Sequence, residues 1–485
     1  MFFGKSWSSG SLPLREALCR LSRSFSIEAL CTADVAKLAT STLDRAGKLW
    51  QRESPLQPLF MLWFVVCLPL FRADAIPALL GRLVDGLRGR IRGLPRRPVT
   101  DGAIAHARER LGVRVLRLFF RAVAARSASA PSFHERRVKI IDGVRLLVPD
   151  TPRNARVFGR QKVGRGRAAF PQILIVVLLD ALTRGPLDAK IMSHKGSERA
   201  GADRLLRSVA RGDLLLLDRG FFGLPFFRAI HRKGADFLAR APKVARLTPI
   251  DGPKAGRTGD YLAIMRCRVP LTPEERSARP HGTWGKTHVV ELVVRVIEYR
   301  ARGFPPVRLV TSMLERKIPA EEIIALYHRR WEIETAFDEL KTTQLAPARG
   351  TLETELRSRN PRGVLQEAYG LLASYALVRQ AIAEAAAPRG IAPTEIGFAD
   401  ALRVISQAIP RLCGARSEDL VRLRVQMLHD IADCRLDRPR RKRRYPRVVK
   451  RKVGKFPLKR AHHRALPQFR PSATPSLVKD AANGR

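Results

Sequence analysis

Apolar and polar positions recur with two periods along this chain, and the change of period divides it. Up to about residue 130 the apolar positions fall three and four apart, the spacing of helices. This pattern predicts helices over Arg15–Leu21, Ser26–Trp50, Leu56–Phe71 and Ile76–Leu87. The most apolar run, LFMLWFVVCLPLF from Leu59 to Phe71, is too short to cross a bilayer and ends at Arg72, so it predicts a buried helix. After the linker RGRIRGLPRRP, Thr100 and Asp101 can cap a helical pair, AIAHARERLG and VRVLRLFFRAVA, parted near Gly112. This pair suits a DNA-binding element and a structural bundle equally.

From Arg137 the period shortens to that of strands. VKIIDGVRLLV predicts a hairpin turning at Asp142-Gly143, and the Pro-, Gly- and Arg-rich stretch PDTPRNARVFGRQKVGRGRAA predicts a loop. QILIVVLLDALT and LDAKIM follow as strands, ERAGADRLLRSVA as a helix capped by Ser197, and DLLLLD as a buried strand ending at Asp218. LPFFRAIHRKG then reads as a helix and ADFLARA as a strand, a mixed α/β layer order. Residues 242–306 are predicted to be a mostly β insertion, with LAIMRCRV and VVELVVRVIEYRA as strands, before VRLVTSML returns as a strand.

Ile318–Gln344 predicts one long helix, with Pro319 at its first position and Glu321 and Glu322 where the helix dipole favours acids. Further helices are expected over 364–387 and 396–409. The expected organisation is a helical N-terminal domain (1–130, a candidate for DNA binding), an α/β domain (131–346), a helical region (347–434) and a basic tail (435–485).

Composition sharpens the picture. The chain has 485 residues, enough for two or three domains, and 45% are hydrophobic, as in globular proteins. Lys and Arg number 90 against 44 Asp and Glu, a net charge of +46 that implies a polyanionic partner, nucleic acid before an anionic membrane. Between Arg435 and Arg470 lie sixteen Lys or Arg against one Asp, which predicts a disordered, nucleic-acid-binding tail. The scattered cysteines form no CxxC pair and read as reduced thiols of a cytosolic protein. MFFGKSWSSGSLPL has no signal-peptide pattern.

Candidate chemistry lies on the long helix. Tyr327, Arg330, Glu334 and Lys341 fall within roughly 60° of one another at about 100° per residue. A carboxylate between cations and an aromatic suits a phosphate backbone, although Glu and Lys at such spacings are more often a solvated face. Asp142, before Gly143, and Asp218, before the turn RGFFG, read alone as a turn former and a strand terminator. Brought to Glu334, they would supply three oxygen donors for two Mg²⁺ or Mn²⁺ about 4 Å apart. Arg330 and Lys341 would hold flanking phosphates, and Tyr327 would meet a phosphate or stack on a base. No GxxxxGK[ST], GxSxG or HExxH motif competes, and His194 reads as a solvated loop histidine.

These residues carry a resemblance. Tyr327, Arg330, Glu334 and Lys341 match, position for position, the Y-x2-R-x3-E-x6-K signature of insertion-sequence-4 family DDE transposases. LLLLDRGFFG resembles that family's second-acid motif, IIDGVRLLVPDTPRNARVFG its first-acid region, and AHARERLG a segment of its N-terminal domain. The resemblance spans about residues 55–345. It implies a ribonuclease H-like catalytic domain with a mostly β insertion, and Asp142, Asp218 and Glu334 as the metal-binding triad. It implies Mg²⁺-dependent cleavage of transposon ends and strand transfer, with Tyr327, Arg330 and Lys341 on DNA phosphates. One departure is Val144, where the family has threonine after Asp-Gly, and it leaves Asp150 as a second candidate for the first acid. The partners implied are the inverted-repeat ends and target DNA, bound by at least a dimer at synapsis, in the cytoplasm at the nucleoid. A catalytically inactive DNA-binding relative and a nuclease of the same fold are the alternatives, separated by Mg²⁺-dependent cutting and by joining of the cut end.

Overall fold

The computed structural model describes residues 33–49, 56–72, 74–76, 78–80, 100–163, 166–168, 170–251, 259–271, 277, 287–300, 305–345, 356–415, 417–436 and 476–477. The helices expected before residue 33 and over most of 81–87, the linker before Thr100 and nearly all of the basic tail lie outside these residues. The chain divides into two units, one formed by residues up to Asp213 with Arg330–Arg435, the other by Leu214–Arg329 with the residues after Arg435.

The N-terminal helices are α1 (Ala33–Arg45), α2 (Pro58–Cys67) and α3 (Asp101–Ala124). Nearly every residue of α2 is buried, which explains its unbroken apolar run; Trp63 meets Phe119 of α3 edge-on at 5.2 Å. The Thr100 hydroxyl caps α3 by accepting from the Ala103 N–H. Gly112, at φ 77°, kinks α3 where the sequence separates two segments. No helix among the described residues is long and apolar enough to cross a membrane.

The mixed α/β layer follows. It comprises β1 (Arg137–Leu147), α4 (Pro152–Phe158), β2 (Lys162–Val163), β3 (Gly166–Arg167), β4 (Gln172–Asp180), β5 (Pro186–Ser193) and α5 (Glu198–Leu205). In the first unit β4 lies between β1 and β5, antiparallel to both. The expected hairpin at Asp142-Gly143 is a continuous strand instead. Gly143 pairs with Val176 in mid-ladder. A Cβ built on it would come within 2.6 Å of the Glu198 side chain at the start of α5. The stretch expected as a loop contains α4, capped by Thr151, and the small β2–β3 hairpin.

The strand β6 (Asp213–Leu217) leads into the second unit, with α6 (Leu224–His231), β7 (Asp236–Arg240), β8 (Thr248–Asp251), β9 (Asp260–Pro270), β10 (Thr287–Arg300) and β11 (Val307–Thr311). There β6 and β7 run parallel, β7 pairs with β11, and the expected β insertion continues the ladder antiparallel through β10, β9 and β8. The Arg295 side chain, 1% exposed, donates twice to Asp260 and also to the carbonyls of Glu315 and Ile318. A fully paired buried guanidinium of this kind fixes the chain entering the next helix.

The long helix expected over Ile318–Gln344 is segmented. It consists of α7 (Ala320–His328), α8 (Trp331–Asp338) and a π-helical turn, Glu339–Gln344; Pro319 is the extended N-cap residue rather than the first helical one. At the junction the bonds tighten, with the Arg329 N–H on the Leu326 carbonyl and the Ile333 N–H on that of Arg330, three residues back. Three helices complete the first unit: α9 (Pro361–Ala386), α10 (Phe398–Gly414) and α11 (Ser417–Asp433), the last unmarked in the sequence reading. α9 packs on α2, α3, α10 and α11, and lies so close to α2 that a Cβ at Gly370 would meet Val65 at 2.9 Å.

Candidate active site

Asp142 sits half-buried in β1, and its carboxylate accepts the Gly143 N–H at 2.7 Å. The helix α8 packs against β1 and carries Glu334. Glu334 is 43% exposed and accepts from the Arg330 guanidinium at 3.1 Å. Arg330 itself is buried beside the Trp331 ring, 5.4 Å from its centroid. Asp142 and Glu334 thus belong to one unit, on elements that pack together, and Asp218 belongs to the other.

Asp218 follows the fully buried β6 and caps the 3₁₀ turn Arg219–Phe221, whose Phe221 N–H donates to its carbonyl at 2.9 Å. Its side chain is half-buried, and among the described residues its carboxylate has no hydrogen-bond or ion-pair partner. A strand terminator paired with Arg219, the plain alternative, is not what forms. Lys341, in the π turn and half-exposed, likewise has no partner among the described residues. Tyr327 is 7% exposed, and its hydroxyl donates to the Leu217 carbonyl at 3.3 Å. Asp150, the second candidate for the first acid, lies in an exposed loop with its carboxylate engaged by Arg160.

The four-residue face predicted on one ideal helix is therefore interrupted twice. Tyr327 stands before the break at Arg329–Arg330, Arg330 and Glu334 after it, and Lys341 on a wider turn. Among the described residues, no three His, Cys, Asp or Glu side chains gather closely enough to hold a metal ion. The donor chemistry still suits a hard cation: Asp218 offers carboxylate oxygens with no partner among the described residues, and Glu334 faces solvent on one side.

Sequence reasoning missed the groups that hold α8 from behind. Glu332 and Glu339, seven apart, both take the Arg184 guanidinium, at 2.6 Å and 3.1 Å. Glu339 also accepts from the Tyr375 hydroxyl at 2.8 Å and from the fully buried Arg379, which lies over the Phe398 ring. Burial pushes the Tyr375 phenol well above its usual range, and the Glu339 charge adds to that. Burial, the largest influence, would by itself lower Arg379, but the Glu339 charge, Tyr375 and the hydrogen bonds to both together outweigh it and hold the guanidinium charged. Two cations and two carboxylates balance in charge across the cluster. No local signal marks it, because its members come from the β4–β5 turn, α8, the π turn and α9.

Residues 133–377 match the family described as Transposase DDE domain, and residues 20–121 match Insertion element 4 transposase N-terminal. The chain is 29% identical over 432 residues to the Transposase InsG for insertion sequence element IS4 of Escherichia coli (strain K12), across 87% of this chain and 91% of that protein. The piggyBac transposase in its synaptic complex with hairpin DNA, solved by cryo-electron microscopy, superposes with a TM-score of 0.42 at 11% identity, over 86% of this chain and 85% of that one. Similarity at that level carries no functional argument.

Proposed function

We propose that this protein, which belongs to the DDE transposases of the insertion element 4 group, cuts the ends of its own DNA element and joins them to target DNA. The observation that carries the reading is Asp218. A half-buried carboxylate with no partner among the described residues stands out in a protein with 90 Lys and Arg to pair it. Such a group is kept for a ligand, and at a strand end in a DNA-handling protein that ligand is a divalent cation.

Asp142, Asp218 and Glu334 would hold Mg²⁺ or Mn²⁺, two ions in all, which when bound supply an activated nucleophile and stabilise the departing 3′ oxygen. Arg330 shares its guanidinium between Glu334 and a DNA phosphate, which keeps the carboxylate aimed while the strand is held. Lys341 neutralises a neighbouring phosphate as a point charge. The N-terminal helical domain and the basic tail supply further sequence-independent contacts, and synapsis of two ends requires at least two copies. The test is cleavage of a labelled duplex carrying the element's end. The wild type cuts only with Mg²⁺ or Mn²⁺, and Glu334→Ala binds the duplex without cutting it. Equal cutting by Glu334→Ala would overturn the reading, and binding without cutting by either protein would make the chain a DNA-binding relative without catalysis.

A further inference from the structure

Resting on the reading of Glu334 as a metal ligand, we propose that Arg184 is a positioning residue: it clamps the back of α8 and the π turn, and so fixes the direction in which Glu334 leaves the helix. Its guanidinium bridges two carboxylates, with Nε donating to Glu332 at 2.6 Å and Nη1 to Glu339 at 3.1 Å. At about 100° per residue Glu332 and Glu339, seven positions apart, point within about 20° of each other. On the same geometry Glu334 points about 160° away from Glu332. The bridge therefore spans the two turns from whose other face Glu334 reaches solvent.

The helix has few other restraints. α8 is eight residues long and buries Ile333, Ala336 and Phe337. So short a helix has little stability of its own, and polar contacts help to decide its rotation about its axis. The turn that carries Arg184 is braced. The Asp180 carboxylate accepts from Ser129, Leu182 and Thr183. The Arg184 N–H donates to the Asp180 carbonyl, and the Asp180 N–H to that of Gly185. Within this turn Arg184 takes φ 56°, a left-handed conformation that disfavours any residue with a Cβ. Strain at a position whose side chain is 9% exposed and joined to two acids points to the bridge as what that position supplies. Arginine's planar fork can donate to two carboxylates at once, whereas a lysine in its place would carry the charge without the fork.

Arg184→Lys keeps the charge and removes the fork, and Glu339 retains Tyr375 and Arg379, so the full-length variant folds. Glu332→Gln is a second variant, which weakens the bridge at its α8 end alone. Wild type, both variants and Glu334→Ala are compared on the uncut end duplex, each per folded molecule. The measurements are Mn²⁺ affinity by electron paramagnetic resonance of the free ion, the Mg²⁺ concentration for half-maximal cutting, duplex affinity and melting temperature. A partner that orients a metal ligand predicts Mn²⁺ affinity weakened about tenfold in Arg184→Lys, with a similar rise in the Mg²⁺ requirement. Glu332→Gln changes both in the same direction by less. Duplex affinity stays unchanged, because Arg184 is buried. Unaltered Mn²⁺ affinity and Mg²⁺ requirement in both variants, whatever the melting temperature or duplex affinity, would make Arg184 a structural residue only and overturn the proposal. If wild type and Glu334→Ala bind Mn²⁺ alike, the metal reading of Glu334 is what fails.

Discussion

The two ends of β6 each carry an aspartate, and the protein treats them oppositely. Asp213, at the start, is fully buried and accepts from Lys139 at 2.6 Å, Arg137 at 2.9 Å and the Ala210 N–H at 2.7 Å. Asp218, one residue past the other end, is half-buried and has no partner among the described residues. The same contrast recurs on α8 and the turn after it. Glu332 and Glu339 are held by arginines from other elements, while Glu334 reaches solvent with Arg330 beside it. Saturated carboxylates hold the scaffold, and under the proposed function the under-partnered ones are left for chemistry.

The contrast can be broken by experiment. The largest effect is expected from Asp218→Ala, which should lower metal-dependent cleavage by about a thousandfold or more, since it removes a metal ligand. Its unfolding free energy should stay within about 0.5 kcal/mol of wild type in urea titration. Asp213→Ala should do the reverse. It strands the buried Lys139 and should cost about 3–5 kcal/mol of stability, with cutting reduced only as the folded fraction falls.

A smaller but similar loss, about 3 kcal/mol, is expected from Glu339→Gln, which leaves Arg379 short of its counter-charge. Here Glu334→Gln is the control, leaving the urea midpoint unmoved. The smallest effect is that of Lys341→Ala: duplex affinity falls a few-fold, and the slope of log affinity against log salt shrinks by about one. An unchanged slope would remove Lys341 from the phosphate contacts.

Much of this was legible in the sequence because it is local. The fully apolar β6, the buried α2, the capped and kinked α3 and the β insertion all follow from apolar period and punctuation. The Y-x2-R-x3-E-x6-K spacing marked the family without any structure. Three-dimensional packing hid the rest. Gly143 looks like a turn residue in sequence, yet it pairs in mid-strand with the Glu198 side chain close above it. The break after His328 and the π turn leave no Gly or Pro, so an ideal helix was the natural expectation. Tyr327 kept its place in the motif, but its partner, the Leu217 carbonyl, is invisible to spacing. The Arg184–Glu339–Arg379 cluster joins residues far apart in the chain.

The central claim is that Asp218 serves chemistry and Asp213 serves folding. The most direct test measures Mg²⁺-dependent cutting of the element's end duplex by wild type, Asp218→Ala and Asp213→Ala, each normalised to its folded fraction. Cutting per folded molecule should vanish in Asp218→Ala and persist in Asp213→Ala. Persistent cutting by folded Asp218→Ala, or its loss in folded Asp213→Ala, would contradict the account.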